Sequence, residues 1–266
     1  MLTPKRIPGL AWRPSRRRFL TGGAAGLGAL ALGGCDRASN APWFRDLVEA
    51  AEGVTRTAQR ALVPRQALAR EFTAADVSPV FKANGSTYPD NPDYDSWVAD
   101  KFSSWRLSVT GLVEQPLSLS LADLKAMPAR SQITRHDCVE GWSCIGQWKG
   151  PTLASVLDRA RPKPNARYIV FQCADDLQAS FFLNAYYESI DLIDGYHPQT
   201  ILAYEMNGQP LPVPHGAPLR LRVERQLGYK MAKYLTEIQV VDSFAALGSG
   251  KGGFWEDLGY EWYAGI

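Results

Sequence analysis

At 266 residues, with 45% hydrophobic and 21% charged side chains, the chain has material for one sizeable core and a small appendage. Its formal charge of +2 hides an asymmetry: residues 1–34 hold six basic residues and no acidic one, and the remainder carries 23 basic against 27 acidic residues, too acidic for a nucleic-acid-binding footprint. Cys35, Cys138, Cys144 and Cys173 form no C-x-x-C pair and no C-x-x-C-H, which excludes a zinc ribbon, a thioredoxin site and a c-type haem attachment.

The first element is an address. Ser15-Arg16-Arg17-Arg18-Phe19-Leu20 is a twin-arginine export pattern, followed by a Gly/Ala-rich apolar stretch from Phe19 to Gly34. That stretch is too short for an ordinary transmembrane helix and fits a signal peptide over residues 1–34. It ends Leu32-Gly33-Gly34-Cys35, which resembles a bacterial lipobox, so cleavage before Cys35 would leave that thiol to carry lipid. Asp36 then resembles an inner-membrane retention signal. The expected location is the periplasm, with a lipid anchor to the inner membrane. The twin-arginine route carries folded proteins, which favours an enzyme that acquires a complex cofactor before export.

Residues 35–72 read as a lipidated N-terminus and helical spacer. Phe44, Leu47, Val48, Ala51 and Val54 recur at three- and four-residue steps, and Pro64 interrupts the pattern. From Thr73 to Ile266 the texture is that of one domain. Trp105–Val109 and Leu117–Leu119 alternate as half-buried strands, Leu121–Met127 is a short helix ended by Pro128, and Leu153–Ala160 is a second. Tyr168–Phe171, Leu219–Val223 and Leu235–Val241 read as further strands. The aromatic tail from Gly248 to Ile266 is expected to pack on the domain. The sum is an α+β fold, rich in mixed β-sheet, with short helices.

The densest chemistry lies in Thr134-Arg135-His136-Asp137-Cys138-Val139-Glu140-Gly141-Trp142-Ser143. A second segment is His215-Gly216-Ala217-Pro218-Leu219-Arg220, followed by Gly228-Tyr229-Lys230 and Lys233. On the residues alone three readings stand. Cys138 is a metal-binding thiolate; or it is the nucleophile of a hydrolase or acyltransferase with His136 or, better placed, His215 as base. Or the chain is a non-catalytic lipoprotein or zinc-stabilised module using Cys138, Cys144 and a His.

The two segments together resemble the metal-binding and pterin-binding regions of the sulfite-oxidase-like molybdopterin enzymes. They are especially similar to the exported, haem-free bacterial branch that includes methionine sulfoxide reductase catalytic subunits. The similarity runs from roughly Val80 to Val241. It implies a molybdenum-molybdopterin cofactor and two-electron oxygen-atom transfer, with Cys138 as the protein's sulfur ligand, a soft donor suited to such a metal. It also implies that Glu140 stands near the metal, that Asn84, Thr87 and Tyr88 line the pterin, and that Arg220 and Lys233 hold its phosphate. The backbone of Met231 and Ala232 would add donors.

Three positions depart from the relatives: Cys173 stands for a Thr against the cofactor, His215 for an Asn and His136 for an Arg. Cys173 is open to a pterin contact, to packing, or to a disulfide with Cys144. Arg135 and His136 are candidates to favour the Cys138 thiolate, and Arg135, Arg222 and Arg225 to recognise an anionic substrate. The expected partners are a small-molecule or protein-bound oxo substrate and a separate cytochrome or quinone-linked membrane protein. The immunoglobulin-like dimer domain of true sulfite oxidases is not expected.

Overall fold

The structure is a computed structural model that describes residues 41–175 and 186–266. The export signal, lipobox and Cys35 lie outside the described residues. The chain divides into two units, Met1–Thr55 and Arg56–Ile266. Of the first, only residues 41–55 are described, as the start of α1 (Pro42–Leu62). That helix ends two residues before Pro64, whose ring cannot continue it. No helix among the described residues is long and apolar enough to cross a membrane.

In the second unit Asn91 caps α2 (Pro92–Ala99), accepting from the Asp93 and Tyr94 N–H groups, with Pro92 at the first helical position. Strands β1 (Arg106–Gly111) and β2 (Leu117–Ser120) lead to α3 (Leu121–Ala126), started by a Ser120–Asp123 capping box. The long hairpin β3 (Ala129–Asp137) and β4 (Ser143–Pro151) follows, then α4 (Leu153–Ala160), capped by Thr152. The chain continues through β5 (Tyr168–Cys173), β6 (Tyr187–Asp191) and α5 (Leu192–Gly195). Short strands β7 (Ile201–Ala203), β8 (Glu205–Met206), β9 (Gln209–Pro210) and β10 (Arg220–Arg222) precede β11 (Leu235–Val241) and the tail helix α6 (Phe254–Asp257).

Three sheets result. One has the order β2-β1-β11-β5-β6, with β1 and β11 parallel and the other pairs antiparallel. The second is β3-β4-β8-β9, and β7 pairs with β10 as a third. The core lies between the first sheet and α3 and α4, built on Trp105, Leu107, Val109, Leu153, Leu157, Phe171, Ile238 and Val240. Alternation in the sequence already marks Leu107 and Val109 as inward, since side chains one apart on a strand face opposite ways. A smaller core around Trp148, Ile201, Ala203 and Met206 holds β4 against β7. This is the expected α+β architecture of mixed sheets and short helices.

The expected domain start at Thr73 falls inside the larger unit, because the preceding residues are bonded to it. Arg60 pairs with Asp191 and Asp194, and the Phe72 N–H donates to the Ile133 carbonyl. The tail packs as expected: Trp255 stacks on Tyr260, and Trp262 stacks on Phe244.

Candidate functional site

Cys138 sits at the tip of the β3–β4 hairpin. Its N–H donates to the Trp142 carbonyl at 2.9 Å, and the Gly141 N–H returns to the Cys138 carbonyl at 3.0 Å. Gly141 has φ +84°, the left-handed region open to glycine, and nothing lies within 4 Å of where its Cβ would be. The turn therefore needs glycine for its conformation rather than for space. It leaves the Cys138 thiol half-buried at the wall of an open cleft of about 560 Å³.

Asn84, Glu140, Met231 and Lys233 line the same cleft, so the structure brings these sequence-identified residues together with Cys138. Gly85, Val139, Asp175, Tyr186, Tyr229 and Trp255 complete the lining. Of these, Tyr229 stood in the second sequence segment without a role, while Asp175, Tyr186 and Trp255 went unrecognised in the sequence; only the aromatic richness of the tail hinted at Trp255.

Behind the cleft lies a cluster of buried cations. Arg220 is fully buried, donating to the His215 carbonyl at 3.0 Å and the Met231 carbonyl at 3.4 Å. Burial, with the adjacent Arg222, pulls its guanidinium down to about 9. Lys233 Nζ donates to the Asn84 and Ser86 carbonyls, each at 2.6 Å, and pins that loop over the cleft. Burial, and then Arg220, lowers its ammonium to about 7. His215 falls to about 4 for the same reasons: burial first, then Arg220 and Lys233. Three neighbouring bases depressed together, by burial first and by one another next, describe a site where positive charge is crowded and poorly solvated, opposed by Asp175 at Lys233 and by Glu224 at Arg220.

His136 is fully buried beside this cluster, and burial, Arg222 and Arg220 hold it neutral. Arg222 Nη1 lies 3.0 Å from its Nδ1. A guanidinium has no acceptor, so Nδ1 must accept and the ring proton sits on Nε2. Arg222 itself is fixed by Glu224, through Nε at 2.9 Å and Nη2 at 2.6 Å, with both side chains fully buried.

A group that fills this region must satisfy several orphaned atoms. Buried atoms lacking a partner include Asn84 Oδ1, His136 Nε2, His215 Nδ1, Arg220 Nε and Trp148 Nε1. Both arginines lie over the Trp148 ring, at 4.9 Å for Arg220 and 4.4 Å for Arg222. Gly228 packs against the His136 edge so closely that a Cβ would meet Cε1 and Nε2 at 2.4 Å. Unpaired donors and acceptors on planar groups, beside crowded cationic charge, match a polar heterocycle carrying a phosphate.

Other expected placements change. Thr87 and Tyr88 are exposed and outside the cleft lining, and the Tyr88 hydroxyl donates to Asp95 at 2.7 Å. The Met231 N–H is taken by the Gly228 carbonyl at 3.1 Å, so it is no free donor for a phosphate. Ala232 is buried, and its carbonyl accepts from Leu221. Cys173 is buried on β5, with the Lys233 N–H directed at its sulfur, while Cys144 on β4 donates to the Val80 carbonyl. Both thiols are free, so the Cys144–Cys173 disulfide does not form.

Neither Arg135 nor His136 favours the Cys138 thiolate. Arg135 is exposed and paired with Asp137, and His136 is neutral. Burial raises the Cys138 thiol, against the Glu140 N–H, and Lys82 is the cation that opposes the rise. A raised thiol is a poor resting nucleophile, and neither His136 nor His215 lines the cleft at Cys138, so the hydrolase reading gains no support. A metal ligand needs no such activation, since binding itself displaces the proton. The zinc-module reading also lacks a site: no group of three His, Cys, Asp or Glu side chains among the described residues is arranged to hold a metal ion. Glu140 is half-exposed and held ionised by hydrogen bonds from Trp142 at 2.8 Å and Lys82 at 3.3 Å.

Comparison with known proteins agrees with this geometry. Residues 95–246 match the family described as the oxidoreductase molybdopterin-binding domain. A protein of Azospira oryzae named a putative protein-methionine-sulfoxide reductase subunit is 42% identical over 198 residues, 73% of this chain and 70% of that one. The protein-methionine-sulfoxide reductase catalytic subunit of Xanthomonas campestris is 39% identical over 149 residues, 53% of this chain and 46% of its own length. That of Ralstonia nicotianae is 39% identical over 145 residues, spanning 52% and 44%. This chain thus spans less than half the length of the two catalytic subunits. Among solved structures, the sulfane dehydrogenase SoxCD of Paracoccus pantotrophus is similar with a TM-score of 0.48 and 24% identity, over 53% of this chain and 39% of that one.

Proposed function

This chain belongs to the oxidoreductase molybdopterin-binding family and is a molybdopterin-dependent oxidoreductase, and from that premise we propose that it is an exported reductase of methionine sulfoxide acting at a Cys138-bound molybdenum. The bound cofactor supplies two-electron oxygen-atom-transfer chemistry. Cys138 is the protein's sulfur ligand in this reading. Arg220, Lys233 and His215 hold the phosphate, and His136 Nε2–H and Asn84 Oδ1 meet the heterocycle. Reduction of one sulfoxide takes two electrons and two protons and yields a thioether and water.

The observation that carries the substrate assignment is the charge of the cleft. Two carboxylates, Glu140 and Asp175, line it against one cation, Lys233, whose ammonium is held by the Asn84 and Ser86 carbonyls, and no guanidinium does so among the described residues. The three arginines considered for an anionic substrate are committed elsewhere. Arg135 pairs with Asp137, Arg222 with Glu224, and Arg225 donates to the Arg65 carbonyl. Residues 176–185 contain no Lys, Arg or His. An oxyanion such as sulfite would meet carboxylates here, whereas a sulfoxide is neutral, and its methyl group suits Tyr229, Trp255 and Met231. Ionised Glu140, aligned by Trp142 and Lys82, enters as an acceptor that orders water or receives a proton.

The twin-arginine pattern and lipobox support export and anchoring through Cys35, with electrons delivered by a membrane cytochrome or quinone-linked protein. The names of the relatives as subunits support a multi-component system. The test is turnover by the molybdenum-loaded protein with a reduced dye. Free and peptide-bound methionine sulfoxide are expected to be reduced, and oxidation of sulfite without sulfoxide reduction would refute the assignment.

A further inference from the structure

A second charged cluster adjoins the aromatic lining of the cleft. Lys230 is fully buried, and its ammonium donates to Glu188 Oε1 and Glu256 Oε1, whose side chains are also sealed from solvent. The ammonium lies near the faces of Tyr229, at 5.8 Å, and Trp262, at 5.5 Å. Each member of the trio is one or two residues from an aromatic of the cleft wall. Glu188 follows Tyr186 by two and Glu256 follows Trp255 by one, while Lys230 sits between Tyr229 and Met231. Tyr186, Tyr229 and Trp255 come from three segments distant in sequence, so the trio ties together from behind the side chains that face Cys138.

The surrounding bonds reinforce the tie. Tyr186 donates to the Tyr229 carbonyl at 2.6 Å, Tyr229 donates to the Glu261 carbonyl at 2.6 Å, and the Trp262 indole donates to Ser189 Oγ at 2.8 Å. Gly253 lies so close that a Cβ there would meet Glu256 Oε2 at 2.0 Å and Glu188 Oε1 at 2.7 Å. The backbone itself closes the top of the site.

We infer that Lys230, Glu188 and Glu256 are positioning residues for the aromatic wall of the cleft, and that the two carboxylates share one proton so that the trio is electrically neutral. Two carboxylates and one ammonium sealed from water would otherwise leave a bare negative charge in the interior. The titratable groups around the trio include Tyr186, Tyr187, Tyr229, Cys173, Asp175 and Asp257; Arg56 lies over the Trp262 ring at 5.6 Å, and the cation that acts on Glu188 is Lys230. Glu188 Oε2 and Glu256 Oε2 both lack a partner, and a shared proton gives them one. The electrostatics run the same way. Burial pushes the Glu188 carboxyl far up, with Glu256 adding to the rise and Lys230 opposing it. Burial works against the Lys230 charge, but the two carboxylates outweigh it and hold the ammonium up. A folded chain that keeps a proton the unfolded chain releases in the ordinary carboxylate range loses stability as pH rises toward the folded value.

Only the kinetic arm of the test rests on the sulfoxide reading. Full-length holoenzyme is compared as wild type, E188Q, E256Q, E188Q/E256Q and K230M, after confirming equal molybdenum and pterin content. The readouts are KM and kcat for a methionine sulfoxide peptide, and amide hydrogen exchange of residues 253–258 and 229–231. A single Gln replaces the protonated carboxyl, so each single variant should match wild type at neutral pH within about twofold. K230M and the double variant should speed exchange in both segments by about tenfold or more. They should raise KM more than they lower kcat. On raising the pH, exchange corrected for its intrinsic rate should climb in wild type and stay flat in E188Q. Should K230M and the double variant fail to fold, that pH comparison decides alone. Single variants as disruptive as the double, or identical pH curves for wild type and E188Q, would overturn the inference. An enzyme inactive on sulfoxides but with the predicted exchange pattern would refute the substrate and leave the clamp standing.

Discussion

The cation cluster behind Cys138 makes a quantitative prediction for protein prepared without cofactor. The fall of Lys233 from its ordinary 10.5 to about 7 corresponds to about 5 kcal/mol of disfavoured charging, which a bound anion would offset. Because the folded pKa is depressed, the unfolded chain holds a proton between about 7 and 10.5 that the folded chain lacks. Stability therefore rises with pH through that window and levels off below it. A phosphate monoester or pyrophosphate reverses the preference, and its stabilisation is greatest at or below pH 7. At a hundredfold excess over Kd the gain is about 2.7 kcal/mol. For a chain of this size that is a Tm increase of about 5–10 °C. Thermal unfolding against chloride at matched ionic strength measures it. K233M and R220M should each remove most of the increment, and R225M, whose side chain bonds the Arg65 carbonyl, should keep it. An equal rise in chloride, or a full rise in K233M, would refute the reasoning.

Three further outcomes follow from single contacts. R222M strands the buried Glu224 carboxylate and should lower stability by about 3–5 kcal/mol in denaturant titration; R222M/E224M should recover most of the loss, and additive losses would contradict the pairing. G228A drives a methyl into the His136 ring and should cut pterin content, read by fluorescence of the released pterin, and wild-type content would show that His136 does not face the cofactor. In folded protein prepared without cofactor, Cys138 and Cys144 should alkylate and Cys173 only after denaturation, and reductant-dependent labelling of Cys144 and Cys173 would contradict the absence of a bridge between them.

What could be read from the sequence divides along physical lines. Leu235–Val241 and Leu153–Ala160 were legible to the residue, because alternation marks the strand and Thr152 starts the helix. Strand β4 carries Gly146 and Gly150, and glycine inside a strand weakens the pattern that marks one. Gly150 is there because a Cβ would fall 1.8 Å from the Leu202 carbonyl, a close approach that no local pattern announces. Helix α2 carried its signal in Asn91-Pro92, but the acidic residues around it masked the periodicity. At the site, Cys138, Arg220, Tyr229 and Lys233 stood in recognisable segments, whereas Asp175, Tyr186 and Trp255 reach the cleft only through sheet order and tail packing. Arg222 was read as a candidate for an anionic substrate, and the fold commits it to a buried ion pair instead. Its partner Glu224 lies two residues on, the spacing that places both on one face of an extended chain, but only the fold buries that face.

The account stands on the sulfur of residue 138, and molybdenum K-edge X-ray absorption of wild type and C138S tests it most directly. The expected result is the loss of one short molybdenum–sulfur path from the C138S spectrum, together with loss of turnover. A C138S protein with unchanged sulfur coordination and retained activity would contradict the assignment.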